Sequence, residues 1–178
     1  MDDIVKQALV KWPAVPACYG WLGLDARGNW YMRDDSVQAR GSFTSGTALG
    51  KGVLLKHEKL IEFIGRNYER DALGQWFFQN GPQRVFVELE ATPLIWRVDH
   101  DFSVQDHIGR VARVEECVID EHGRLYLQTD IGFGLVHSMD MGHAANAVEQ
   151  GLWQPSELTC ADLPARFGYV LSPQAQRR

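Results

Sequence analysis

Asp25-Ala26-Arg27-Gly28-Asn29-Trp30-Tyr31-Met32 recurs as Asp71-Ala72-Leu73-Gly74-Gln75-Trp76-Phe77-Phe78, and more loosely as Asp120-Glu121-His122-Gly123-Arg124-Leu125-Tyr126-Leu127. The shared pattern is Asp, two free positions, Gly, a polar residue and then three large apolar residues. An aspartate that opens a tight turn can accept hydrogen bonds from the backbone N–H groups ahead of it. Glycine in the fourth place takes a positive φ without steric cost. Aromatic and β-branched residues then suit a strand. Each copy therefore predicts a hairpin corner that leads into a strand. Residues 19–24 and 113–119 read as the incoming strands of copies one and three, whereas a helical segment precedes copy two.

The same Asp-x-x-Gly string serves as a nucleotide switch in GTPases, but there it works beside a phosphate loop. The nearest approach here is Gly46-Thr47-Ala48-Leu49-Gly50-Lys51-Gly52. It is one residue short, lacks the Ser or Thr that would hold Mg²⁺, and follows no clear strand. Nucleotide hydrolysis is therefore not expected, and the repeated string reads as scaffold.

The chain has 178 residues, enough for one ordinary domain or two small ones that need no disulfide or metal staple. Its net charge of −5 supports solubility and lacks the basic field that nucleic-acid binding requires. Cys18, Cys117 and Cys160 are odd in number and have no CxxC spacing, as expected of reduced thiols. The N-terminus has no signal-peptide pattern, and no apolar run is long enough to span a bilayer. These features predict a cytoplasmic protein.

Along the chain, a short amphipathic helix is expected over 1–12, broken by Pro13 and Pro16. Strands follow at about 18–24 and 29–33, then a Gly-rich loop over 34–52 with room for a short strand. A helix is expected from Leu54 to Tyr68, where Leu60, Ile61, Ile64 and Tyr68 share a face. A meander follows over 76–98, with Asn80-Gly81-Pro82 as one hairpin turn. A hairpin spans about 111–128, and a helix runs from Asp140 to Gln150 with Gly151 as its stop. A last strand is expected at Phe167–Leu171, and residues 174–178 should fray.

The order predicts an α+β fold of two related halves, an internal pseudo-repeat. Each half would be antiparallel hairpins and meander packed on one helix, with copies one and three as matching corners. The expected division is an N-terminal segment 1–17, a first half 18–100 and a second half 101–178.

This layout resembles an uncharacterised proteobacterial domain-of-unknown-function family over roughly residues 20–130. The resemblance rests on Gly28-Asn29-Trp30-Tyr31, on Lys59-Leu60-Ile61-Glu62-Phe63-Ile64 after a Gly-rich loop, on Gly74-Gln75-Trp76-Phe77-Phe78, and on the corner Thr92-Pro93-Leu94. It implies a repeated hairpin/helix α+β fold and a proposed role in ligand binding or signalling. It supplies no catalytic residues.

Two constellations could carry function. If the halves enclose a cleft, Trp30, Arg33, Trp76 and Arg97 would line it and bind a ligand; the alternative for the tryptophans is core. His137, Asp140 and His143 stand at i, i+3, i+6, and the ends drift by about 120° around a helix. With a further ligand from Asp99, His100, Asp101, Asp106 or His107 they could hold zinc or another divalent metal. Otherwise His137 and Asp140 are helix N-terminal residues. Glu88 and Glu90 share a strand face expected to be solvated. No nucleophile elbow is present.

The leading expectation is a non-enzymatic cytoplasmic binding module without a cofactor. It would take a small molecule or a protein partner, touch neither nucleic acid nor membrane, and exist as a monomer or homodimer. The rival is a metal-dependent enzyme built on residues 137–143. A third possibility is a subunit-interface protein.

Overall fold

The computed structural model describes residues 1–45 and 47–177; Gly46, at the head of the near-miss phosphate loop, and Arg178 lie outside them. Each copy of the repeated string makes the same loop. The Asp N–H donates to the carbonyl four residues on: Asp25 to Asn29 (3.0 Å), Asp71 to Gln75 (2.9 Å) and Asp120 to Arg124 (3.1 Å). The Asp carboxylate in turn accepts the N–H of that residue at 2.8–2.9 Å. Gly28, Gly74 and Gly123 have φ of 81°, 80° and 74°. A three-residue hairpin loop closed by a left-handed residue has this pattern.

One further turn shares it, and another shares its backbone bond and left-handed residue, with Ser103 N–H going to Asp101 instead. Asp106 donates to Arg110 O at 2.9 Å and accepts Arg110 N–H at 2.9 Å, with Gly109 at φ 87°. Only Val111 and Ala112 follow it as a strand, so the requirement for three large apolar residues hides it in the sequence. Asp99 donates to Ser103 O at 3.0 Å, and there Phe102 holds the glycine place at φ 65°.

The chain divides into two compact units: Met1–Asp25, Asn29–Ala91 and Tyr169–Arg178 in the first, Ala26–Gly28 and Thr92–Gly168 in the second. The first begins with α1 (Asp3–Lys11), β1 (Cys18–Leu24) and β2 (Trp30–Met32). The expected 34–52 loop holds structure: α2 (Asp35–Arg40), a 3-10 turn (Phe43–Ser45), α3 (Ala48–Lys51), then β3 (Val53–Leu54). Gly41 and Gly52 stand where α2 and α3 end, and a buried arginine ties the pieces together. α4 (Glu58–Arg66) is shorter than expected at both ends. Leu54 belongs to β3, and Asn67 ends the helix by returning its side-chain N–H to Phe63 O (2.9 Å). Tyr68 therefore starts a strand, so copy two is also a hairpin, between β4 (Tyr68–Arg70) and β5 (Trp76–Asn80). β6 (Gln83–Leu89) completes a six-stranded sheet in the order β3-β2-β1-β6-β5-β4.

The second unit carries β7 (Leu94–Val98), β8 (Val104–Asp106), β9 (Val111–Ala112), β10 (Val114–Ile119), β11 (Leu125–Thr129) and β12 (Gly132–Val136). A 3-10 turn (Ser138–Asp140), α5 (Met141–Glu149), β13 (Pro155–Glu157) and α6 (Leu163–Phe167) follow. Its seven-stranded sheet has the order β13-β10-β11-β12-β7-β8-β9. The polar run near residue 100, taken as a half boundary, is the β7–β8 turn inside this unit. The strand expected at 167–171 is not formed. Gly168 stops α6 at φ 67°, and the following residues bond singly, Val170 N–H to Gly74 O and Leu89 N–H to Leu171 O. Instead of fraying, the tail forms α7 (Pro173–Gln176), whose first turn is capped by Ser172.

The fold is α+β, with two sheets and seven α-helices among the described residues. Apart from β13, which pairs in parallel with β10 at the edge of the second sheet, strand order and direction match between the sheets. In each, two antiparallel three-stranded meanders join through a parallel pair, β1 with β6 and β7 with β12. By this order the Asp120 corner corresponds to the Asp71 corner, and the Asp25 corner to the Asp99 corner. That differs from the expected pairing of copies one and three. One helix per half is not found either: α4 lies between the meanders of the first sheet, while only Arg113 separates β9 from β10.

Candidate functional site

Pairing of β12 with β7 ends at Val136 and Trp96, and His137 N–H still reaches Trp96 O at 2.8 Å. The chain then leaves the sheet. The His137 ring caps the departing turn, its Nδ1 accepting Met139 N–H at 3.1 Å. Asp140 N–H closes the turn on His137 O (2.9 Å), which brings the Asp140 carboxylate back to β7. There Oδ2 accepts Val98 N–H at 3.2 Å, and the first turn of α5 sets His143 Nδ1 2.9 Å from Val98 O. A carbonyl only accepts, so His143 Nδ1 donates this bond. Two side chains thus serve the backbone of Val98 where the neighbouring strand has ended.

Arg97 is the one exposed residue of β7. Its Nε and Nη2 grip Asp140 Oδ2 and Oδ1 at 2.5 and 3.1 Å, a bidentate pair. The Arg97 side chain is 47% exposed and that of Asp140 only 9%. The Arg97 hydrogen bonds hold the Asp140 carboxyl below the usual range, and Asp140 holds the guanidinium above its own. Among the described residues, Nη1 of Arg97 has no hydrogen-bond partner. The pair borders a cavity of about 450 Å³, shared with Asp99, Ser103, Gln105, Val111 and His143.

Three residues singled out in the sequence, Arg97, Asp140 and His143, therefore meet at one cavity. His137 is buried and caps the turn. The ligand atoms of His137, Asp140 and His143 do not gather within 4.8 Å of one another among the described residues. Trp30 and Trp76 are buried in the first unit, packed on either side of Tyr68 at ring distances of 5.1 and 4.7 Å. Trp21, with Met32, Phe63 and Phe78, borders an apolar space of about 300 Å³.

Arg33 is 1% exposed, and its Nε, Nη1 and Nη2 donate to the carbonyls of Gly50 (2.7 Å), Gly20 (3.1 Å) and Gly41 (2.6 Å). It ties the 34–52 segment to β1. Glu88, expected on a solvated face, is buried; it accepts from Ser172 Oγ and from Gln174 N–H, which holds α7. Its alternation with Glu90 was legible, but α7 covers the face. Glu90 remains part-exposed and pairs with Lys51 Nζ at 2.9 Å. Cys117 is buried, which pushes its thiol up to about 11.

A family model described as "Protein of unknown function (DUF2946)" matches residues 1–174. The chain belongs to that family. The expectation of an uncharacterised domain family is thus met. Among solved structures the chain is similar to a DUF1285 family protein from Silicibacter pomeroyi DSS-3, at 9% identity and a TM-score of 0.48, over 78% of this chain and 82% of that one. A DUF1285 family protein from Shewanella baltica OS155 is similar at 15% identity and a TM-score of 0.45, over 71% and 91%. No curated protein matches. No helix among the described residues is long and apolar enough to cross a membrane.

Proposed function

We propose that this protein is a non-enzymatic cytoplasmic binding module that holds a small polar ligand at the Arg97 cavity. The observation that carries the reading is a half-exposed guanidinium held in a fixed pose by Asp140, with Nη1 uncommitted beside about 450 Å³ of space. Preorganised guanidinium groups favour carboxylate or phosphate partners. Gln105, Ser103 and His143 offer further polar contacts at the same wall. The commitment of Asp140 to Arg97 and Val98 supports ligand orientation over the metal-dependent alternative. The three free cysteines support a reducing compartment. A signalling-related, ligand-sensing role fits such a module.

The test is a thermal-shift screen of small carboxylates and phosphates against the wild type and Val111→Trp. Val111 is exposed, borders the cavity and makes none of the hydrogen bonds of Arg97, Asp140 and His143, so the bulkier side chain should obstruct the space while leaving those bonds in place. At least one compound should raise the wild-type melting temperature, and that rise should vanish in Val111→Trp. A screen with no hit, or a hit indifferent to Val111→Trp, overturns the reading.

A further inference from the structure

The third copy of the turn does more than close a hairpin. Its aspartate faces inward, where Asp120 accepts from His122 N–H, Arg124 N–H, Arg124 Nε and Tyr126 OH. That leaves the two middle residues, Glu121 and His122, with exposed side chains. Cys160 reaches them from the segment between β13 and α6. Its N–H donates to Glu121 Oε2 at 2.8 Å and its thiol to Glu121 Oε1 at 3.1 Å. His122 Nε2 lies 3.6 Å from the same Oε1, and one donor atom from each residue falls within 4.8 Å of the others. We propose that Glu121, His122 and Cys160 form a zinc site with its fourth position open.

Zinc bonds of roughly 2.0–2.3 Å in a tetrahedron separate the ligand atoms by about 3.3–3.8 Å. The 3.1 and 3.6 Å spacings need a few tenths of an ångström of adjustment, and the spacing between Cys160 and His122, within 4.8 Å, up to about 1 Å from the exposed His122 side chain. One sulfur, one nitrogen and one oxygen match the preferences of zinc, whereas calcium and magnesium take oxygen alone. Binding places the ion where the thiol proton now sits. Cys160 releases that proton to solvent, and its sulfur and Glu121 Oε1 both turn to the metal. Cys160 N–H stays on Oε2 and orients the carboxylate, as an outer hydrogen bond does in such sites. Two anionic ligands balance the dication, and the nearby Arg124 is neutralised by Asp120 at 2.7 Å. Glu121 also borders a cavity of about 470 Å³ with Asp120, Glu157 and Thr159, which leaves room for water or a small ligand on the fourth position. The three residues are distant in sequence from the 137–143 cluster where a metal was first expected.

The test uses tag-free, EDTA-treated protein titrated with Co²⁺ and then Zn²⁺. One equivalent of Co²⁺ should give a thiolate-to-cobalt charge-transfer band that Zn²⁺ displaces. The band should survive Cys18→Ser and disappear in Cys160→Ser. His122→Ala should weaken Zn²⁺ binding by at least about tenfold, the smaller loss seen even for outer-shell partners, with the apo-protein melting temperature unchanged because the ring is exposed. Absence of the band in wild type, its persistence in Cys160→Ser, or unchanged Zn²⁺ affinity in both His122→Ala and Glu121→Gln overturns the proposal.

Discussion

Six strands of each sheet share one order but fill it differently, and two arginines show the contrast. In the first, the link from β2 to β3 is long, carries α2 and α3, and buries Arg33 against three carbonyls. In the second, the link from β8 to β9 is the bare Asp106–Arg110 turn, and Arg97 stays half exposed at a cavity that β8 and β9 help to line. A guanidinium whose donors are spent on backbone is a structural tie. One held on a single carboxylate at a surface cavity keeps donors for a ligand.

The largest expected effect breaks this contrast at Arg33. Arg33→Met leaves three carbonyls without a donor and removes the cation that favours the Glu88 charge, so it should cost about 3–5 kcal/mol in denaturant unfolding. Arg97→Met strips a mostly buried Asp140 of its partner, but solvent replaces part of the loss, and about 1–2 kcal/mol is expected. Equal costs at both positions would remove the distinction between tie and binding group.

A smaller effect tests the shared corner. A Cβ at Gly123 would meet nothing within 4 Å, so Gly123→Ala should cost about 1 kcal/mol from its positive φ alone. A melting temperature equal to wild type would contradict that assignment.

The smallest effects should have opposite signs in the two units. Burial raises the Glu88 carboxyl, so its contribution to stability is greatest below the unfolded value and falls as pH rises through the higher folded one. Arg97 lowers the Asp140 carboxyl, so its contribution is present above the unfolded value and is lost as pH falls through the folded one. Unfolding midpoints across pH should therefore lose their decline on the rising-pH side in Glu88→Gln. They should lose part of their acid-side decline in Asp140→Asn. Parallel profiles for the two variants would refute the assignment.

Much of the fold was legible where residues act on near neighbours. Asp-x-x-Gly located three corners correctly, because the hydrogen bonds and the positive φ lie within five residues. Asp106 escaped for want of a long strand after it, and Asp99 escaped because Phe102 occupies the glycine place, which no local pattern signals. At the site, Arg97 was singled out as a ligand-binding residue and Asp140 and His143 as possible metal ligands, in separate groups. Their grouping around Val98 was not, because it depends on β12 ending one residue before the chain turns back across β7. Trp30, Trp76 and Arg33 carried the same sequence signal as a binding surface and are buried.

By itself, the sequence determined the α+β class, the corners and the polar residues available for function, all consequences of short-range hydrogen bonding, backbone sterics and side-chain alternation. Only the tertiary structure decided that the meanders join through the parallel pairs β1–β6 and β7–β12, that Glu88 and Arg33 are buried, and that Arg97 is not. Each of these depends on segments far apart in the chain. No local periodicity encodes which distant backbone will cover a side chain.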